Sequence, residues 1–101
     1  MATSWETGFL KVWMDIVQTD SSGIWSVNFS ITKFNHPPKV FSMARTDSTN
    51  NQDAPMSYPH TATTTDCSGK VVLPNTISLL GLLPVKSAGA GIEVVVVAFG
   101  Q

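Results

Sequence analysis

The sequence predicts an all-β protein, a small antiparallel β-sandwich of about six or seven short strands. Three observations carry this reading. Apolar and polar residues alternate strictly over Ile24–Thr32, a β-branched run fills Ile92–Phe99, and turn-forming clusters separate the apolar segments. The 101 residues make one domain, 1–101, with no internal repeat or linker. Hydrophobic residues are 43% of the chain, enough for a core. A chain this short nevertheless buries only about two-thirds of its unfolded surface, and a self-assembling partner eases that limit.

Residues 1–7 read as an N-terminal arm. In Phe9–Val17 the residues Leu10, Val12, Met14 and Ile16 alternate with Lys11, Asp15 and then Gln18, which places the first set on one face of a strand. Thr19-Asp20-Ser21-Ser22-Gly23 is a short polar stretch ending in Gly, and it predicts a hairpin to the next strand. In Ile24–Thr32 the apolar set is Trp25, Val27, Phe29 and Ile31, against Ser26, Asn28, Ser30 and Thr32. Pro37-Pro38 removes two backbone donors, so no ladder continues through Phe34–Pro38. Lys39–Arg45 resumes as a strand. Residues 46–58 lack apolar periodicity and read as a long polar loop, a kind of segment that is uncommon in small domains and often functional.

His60–Thr65 is a candidate Thr-rich strand, ended by the turn Asp66-Cys67-Ser68-Gly69. Lys70–Leu73 is a further strand, stopped by Pro74. Residues 75–83 stay open between two readings. Asn75 as a cap, with Ile77, Leu80 and Leu83 at helical spacing, favours a short helix, whereas Gly81, Pro84 and the β-branched neighbours favour strand or irregular structure. Ser87–Gly91 is a flexible turn. The final run, Ile92–Phe99, is apolar on both faces, so it predicts a central strand, or one whose outer face meets another subunit.

Charged residues are only 13%, against about 25% in an average soluble protein, and the net charge is -1. That balance argues against nucleic acid as a partner, since phosphate binding needs clustered Lys and Arg. The aromatic and β-branched content argues against disorder. Cys67 is the only cysteine, so no intrachain disulfide forms and no Cys-rich zinc site exists, in keeping with assembly in a reducing cytoplasm. Met1–Glu6 has neither a basic nor a long apolar region, so no signal peptide is expected. The longest apolar runs fall far below the ~20 residues of a membrane helix, so no membrane insertion is expected.

No motif calls for catalysis, a metal or a cofactor. His36 and His60 lie in no metal-ligand spacing, and no Gly-x-Ser-x-Gly elbow accompanies the serines. Cys67 with His60 is a poor nucleophile and base pair, because a lone thiol in a turn is more often inert. Asp47, Thr49, Asn51 and Asp53 imitate the start of a calcium loop, but Gln52 stands where Gly is needed and Tyr58 where a bidentate Glu is needed. Asn28-Phe29-Ser30 matches the glycosylation sequon and is empty without a secretory route. Trp5, Trp13 and Trp25 suggest an aromatic platform, yet period two assigns Trp25 to the core and leaves Trp13 partly exposed or interfacial.

The order of features resembles a known family. Gly23-x-Trp25-x-Val27-x-Phe29-Ser30-Ile31-Thr32 is followed by Phe34-Asn35-His36-Pro37-Pro38-Lys39-Val40, a polar loop, a Thr-rich segment and the closing Val94–Gly100. This pattern, spanning Gly8 to Gly100, is similar to the small β-sandwich at the tips of bacteriophage tail fibres, itself similar to H-type lectin domains. The resemblance implies homotrimers, sometimes paired into hexamers, that bind cell-surface glycans through loops. Fibre proteins carry a long shaft before this tip, whereas here only about eight residues precede it, which implies a stand-alone unit. The last strand has no counterpart of the lectins' sugar-binding side chains.

Three functions follow as expectations. The first is a virion structural protein, made in the host cytoplasm, that sits at a tail or fibre tip and attaches to the host surface. Its partners are copies of itself, other virion proteins and a host glycan. The second is a capsid decoration protein, and the third a free glycan-binding lectin. For the tip, the predicted contact residues are Arg45, Asp47, Asn50, Asn51, Asp53, Tyr58 and His60, although the same loop suits packing on a neighbouring subunit. The predicted subunit interface is Val95, Val97 and Phe99, with Trp13.

Overall fold

A computed structural model describes residues 2–45, 55–73, 86–87 and 90–101. It is an antiparallel β-sandwich. The strands are β1 (Thr3–Thr7), β2 (Leu10–Gln18), β3 (Ile24–Asn28), β4 (Lys39–Ala44), β5 (Met56–Pro59), β6 (Asp66–Leu73), β7 (Lys86–Ser87) and β8 (Glu93–Gly100). Sheet A has the order β1-β2-β8-β4, and sheet B the order β3-β6-β5, with β7 also paired to β6. The reading of residues 75–83 lies outside the described residues.

The valine-rich last strand is central in sheet A. Val94, Val96 and Ala98 are fully buried, because their neighbours β2 and β4 flank them and sheet B covers them. The core against them is aromatic. Trp13 from β2 meets Phe29 edge to face at 5.7 Å between ring centroids, and Phe29 meets Phe34 at 5.4 Å. Such pairs add about 0.5–1.5 kcal/mol beyond the area they bury. Trp25 fills the centre of sheet B's inner face with Val27, Cys67 and Val71.

Several expectations are corrected. Residues 19–23 do not close a hairpin, since β2 and β3 belong to different sheets. They form a corner instead. The Asp20 carboxylate accepts from the Ser22 and Ile24 N–H groups at 2.8 and 3.0 Å, and Gly23 takes φ 76°, a conformation only glycine adopts without strain. Thr19 ties this corner to the start of β8. Its N–H donates to the Ile92 carbonyl, its carbonyl accepts from Gly91, and its hydroxyl accepts from the Ile92 N–H, each at 3.0 Å.

The alternating strand also ends earlier than its pattern. The Asn28 side chain accepts from the Ser30 N–H at 3.0 Å and the Ser30 hydroxyl at 2.6 Å, a local turn that competes with the ladder. A 3₁₀ turn over Ser30–Thr32 follows, capped by Lys33 at φ 55°. Ile31 is consequently 68% exposed, not in the core, and Thr32 is buried in its place. Residues 3–7 of the predicted arm form edge strand β1. Of the predicted loop 46–58, residues Met56–Tyr58 lie in β5. The predicted turn at Asp66–Gly69 is the first half of β6, and the turn proper is made by Thr63, whose hydroxyl accepts from the Thr65 and Asp66 N–H groups.

Candidate assembly surface

Strand β2 alternates as the sequence suggests, but with the opposite face inward. Trp13 is only 1% exposed and Val17 packs on the core, so Trp13 is a core residue and not part of an intersubunit surface. Lys11, on the same side at the strand's end, reaches past the core and donates to the Lys33 carbonyl at 2.8 Å. The more uniformly apolar set, Leu10, Val12, Met14 and Ile16, points away from sheet B.

The register assembles the outer face of sheet A row by row. Ile16, Val95 and Met43 form one cross-strand row, and Met14, Val97 and Phe41 the next. The third runs Trp5, Val12, Phe99 and Lys39. A polar row bounds one end, where Gln18 pairs with Glu93 and the Arg45 guanidinium lies 3.2 Å from the Glu93 carboxylate. Thr3, Thr7 and Lys39 border the other sides, while Leu10 continues the apolar strip along β2.

This apolar surface is open to solvent in the single chain. Phe41 is 63% exposed, Met43 72% and Trp5 49%. Val95, Val97 and Phe99, the predicted interface residues, lie at its centre and are half-buried among these larger neighbours. The nine apolar positions of these rows, each covering about 4.8 by 6.8 Å, give a patch of about 300 Å² in flat projection. That is the scale of the largest apolar patch on an ordinary single chain, roughly 300–600 Å², which is often functional. The face is also uneven. The Phe41 ring stacks on Phe99, with centroids 5.4 Å apart and planes 21° apart, and so leans away from Met43. Between them lies a groove of about 420 Å³, lined by Phe41, Ser42, Met43, Val95 and Val97.

The predicted receptor-contact residues are distributed differently. Asp47, Asn50, Asn51 and Asp53 lie outside the described residues. Arg45 sits at the end of β4, engaged with Glu93. Tyr58 is on the outer face of sheet B, opposite Lys70 in the register, with its hydroxyl 3.6 Å from the Met56 sulfur. His60 is exposed just after β5 and lines a cleft of about 250 Å³ with Pro37, Pro38, Lys39 and Pro59. The Ser42 and Ser57 hydroxyls, 2.7 Å apart, link β4 and β5 across the sandwich, but Arg45 and Tyr58 belong to different sheets. The outer face of sheet B is mixed, with Ser26, Asn28, Asp66, Ser68 and Lys70 beside Ile24, Met56, Tyr58 and Val72, where the centre of sheet A's outer face is apolar.

Cys67 is buried, its thiol donating to the His60 carbonyl at 3.3 Å. Burial pushes its pKa up, the adjacent Asp66 carboxylate adds to the rise, and a backbone hydrogen bond at Ser68 partly offsets it. A thiol so placed stays protonated and is a poor nucleophile. Among the described residues, no three His, Cys, Asp or Glu side chains gather as a metal site.

Comparison with protein-family models, with curated proteins and with solved structures found no match to this chain.

Proposed function

We propose that this protein is a virion structural subunit of the bacteriophage type, which assembles with copies of itself and contacts the host surface at a tail or fibre tip. The observation that carries the reading is the outer face of sheet A, an apolar surface with a polar border, whereas the described outer face of sheet B mixes Ile24, Met56, Tyr58 and Val72 with polar residues. Such a border-and-centre arrangement is the anatomy of a protein–protein interface. The assembly proposed is a homotrimer with sheet A turned toward its sister copies. The outer face of sheet B, with Tyr58, and the exposed His60 after β5 then face neighbouring virion proteins and a host glycan, while Arg45, paired with Glu93, borders the face turned to the sister copies. No catalytic role is proposed.

Sedimentation equilibrium at micromolar concentration tests the assembly, with a trimeric mass expected. A monomeric mass would overturn the reading. A cryo-EM map of the parent particle tests the position. Density at the tail tip is expected, and density on the shell would reassign the protein to capsid decoration.

A further inference from the structure

We infer that edge strand β1 pairs with β1 of a second copy, antiparallel and about a two-fold axis at Trp5, joining two four-stranded sheets into one. The contact goes beyond the assembly reading above, because it uses the edge of sheet A and not its outer face. Strand β1 ends the sheet order β1-β2-β8-β4, no described strand lies on its far side, and all five of its side chains are exposed. The hairpin from β1 to β2 sets which backbone groups are left over. Thr7 and Leu10 are partners across the two-residue loop Gly8-Phe9, and Gly8 takes φ 56°, as the first position of such a tight turn requires. That closure makes Thr7–Leu10 a hydrogen-bonded pair. By alternation Trp5–Val12 and Thr3–Met14 are hydrogen-bonded pairs as well, and Ser4–Trp13 and Glu6–Lys11 are not. The N–H and C=O groups of Ser4 and Glu6 therefore point out of the edge.

The sequence of β1, Thr-Ser-Trp-Glu-Thr, is what makes a second copy the occupant. Turned end for end, it sets Thr3 opposite Thr7 of the partner subunit, Ser4 opposite Glu6 of the partner subunit, and Trp5 opposite the partner's Trp5. Each Ser4–Glu6 pair exchanges two hydrogen bonds, and the axis makes two such pairs, so every outward group of these residues is satisfied. The Trp5–Trp5 pair falls in the other class, in which side chains stand closest, and aromatic pairs there stabilise a ladder. No like charges meet, since Glu6 is the only charged residue of the strand. The other edges lack this match. Strand β4 is entered through Pro37-Pro38 and β5 ends at Pro59, residues that blunt an edge. Strand β3, reversed on itself, sets Ile24 against Asn28. One pair of five-residue strands makes a small contact of the weak class, which forms at about 100 µM and above.

The experiment mixes two full-length single variants, Thr3→Cys and Thr7→Cys, at about 100 µM under oxidation, and reads covalent dimers on non-reducing gels. Both keep Trp5, Ser4 and Glu6. In the proposed register positions 3 and 7 of different chains face each other with Cα atoms about 4.5 Å apart, inside the range a disulfide spans. Like positions lie four residues apart along the ladder, about 13 Å, and cannot join. The native Cys67 is buried. The mixture should therefore give at least about 10-fold more dimer than either variant alone. Adding Glu6→Pro to both chains should abolish the cross-link. It removes an outward N–H, leaves the β1–β2 bonds in place, and should leave the circular dichroism unchanged. Equal yields from the mixture and the separate variants, or a cross-link that survives Glu6→Pro, would overturn the contact. Absence of any mixed dimer would overturn it too, and would leave the assembly reading standing because the outer face of sheet A is intact in these chains.

Discussion

Gly69 lies opposite Trp25 in the β3–β6 ladder, and the Trp25 ring occupies the space a side chain at 69 would need. A Cβ built there collides with the indole and approaches the Tyr58 carbonyl to 2.7 Å. The requirement for glycine is therefore steric. It lets the largest aromatic of sheet B lie flat against the strand beside it. Gly69→Ala should destabilise the fold by about 3 kcal/mol, the upper part of the range for overpacking a tight core. Urea denaturation monitored by tryptophan fluorescence measures it, and a change below about 1 kcal/mol would contradict the close approach.

The two core tryptophans differ in how their N–H groups are satisfied. Trp25 Nε1 donates to the Ser57 hydroxyl at 2.9 Å, whereas Trp13 Nε1 is buried without a partner. Ser57→Ala strands the Trp25 donor and should cost about 1–3 kcal/mol. Trp13→Phe deletes a donor that is already unsatisfied, so the gain offsets part of the lost packing. Its cost should stay below about 2 kcal/mol, against about 3–5 kcal/mol for Trp13→Ala. Equal losses for Trp13→Phe and Trp13→Ala in the same denaturation assay would refute this account.

Cys67 makes stability depend on alkaline pH. Its folded pKa is raised, so between the unfolded thiol value of about 8.5 and the folded one the native state holds a proton that the unfolded chain has lost. The stabilisation from this group is complete below about pH 8.5 and disappears as pH rises through the folded value. Unfolding free energy measured from pH 7 to 10 should fall more steeply for the wild type than for Cys67→Ala. At pH 8 a thiol reagent should label the native protein far more slowly than the urea-unfolded chain.

Arg45 and Glu93 form an ion pair whose side chains are well exposed. Solvent screening limits such pairs to about 0–1 kcal/mol. Arg45→Ala should leave thermal stability nearly unchanged, and a loss above about 1 kcal/mol would show that Arg45 contributes through other contacts.

The β8 run was legible as a strand because eight consecutive residues with four valines suit little else, and its central place in sheet A agrees with that reading. Trp25, Val27 and Phe29 were legible as core from period two alone. The side of β2 that faces inward was not. Leu10, Val12, Met14 and Ile16 form the more apolar set, yet Trp13 and Val17 suffice to anchor the other side once Lys11 extends to the Lys33 carbonyl. A strand with apolar residues on both sides carries no instruction about which is internal. Likewise Thr19–Gly23 has the composition of a hairpin loop, and what makes it a corner is Thr19 bonding to Gly91 and Ile92, far away in sequence. Trp5 could be read as one of three candidate platform aromatics, but not as part of the outer face of sheet A, because one aromatic among Thr3, Ser4, Glu6 and Thr7 has no period to read.

The position of β8 between β2 and β4 has a consequence for biosynthesis. Neither of those strands can complete its ladder until the ribosome has released the valines near the end of this segment. A nascent chain halted before Glu93 would carry two unzipped strand edges and an uncapped aromatic cluster, making truncated products ready substrates for chaperones and proteases.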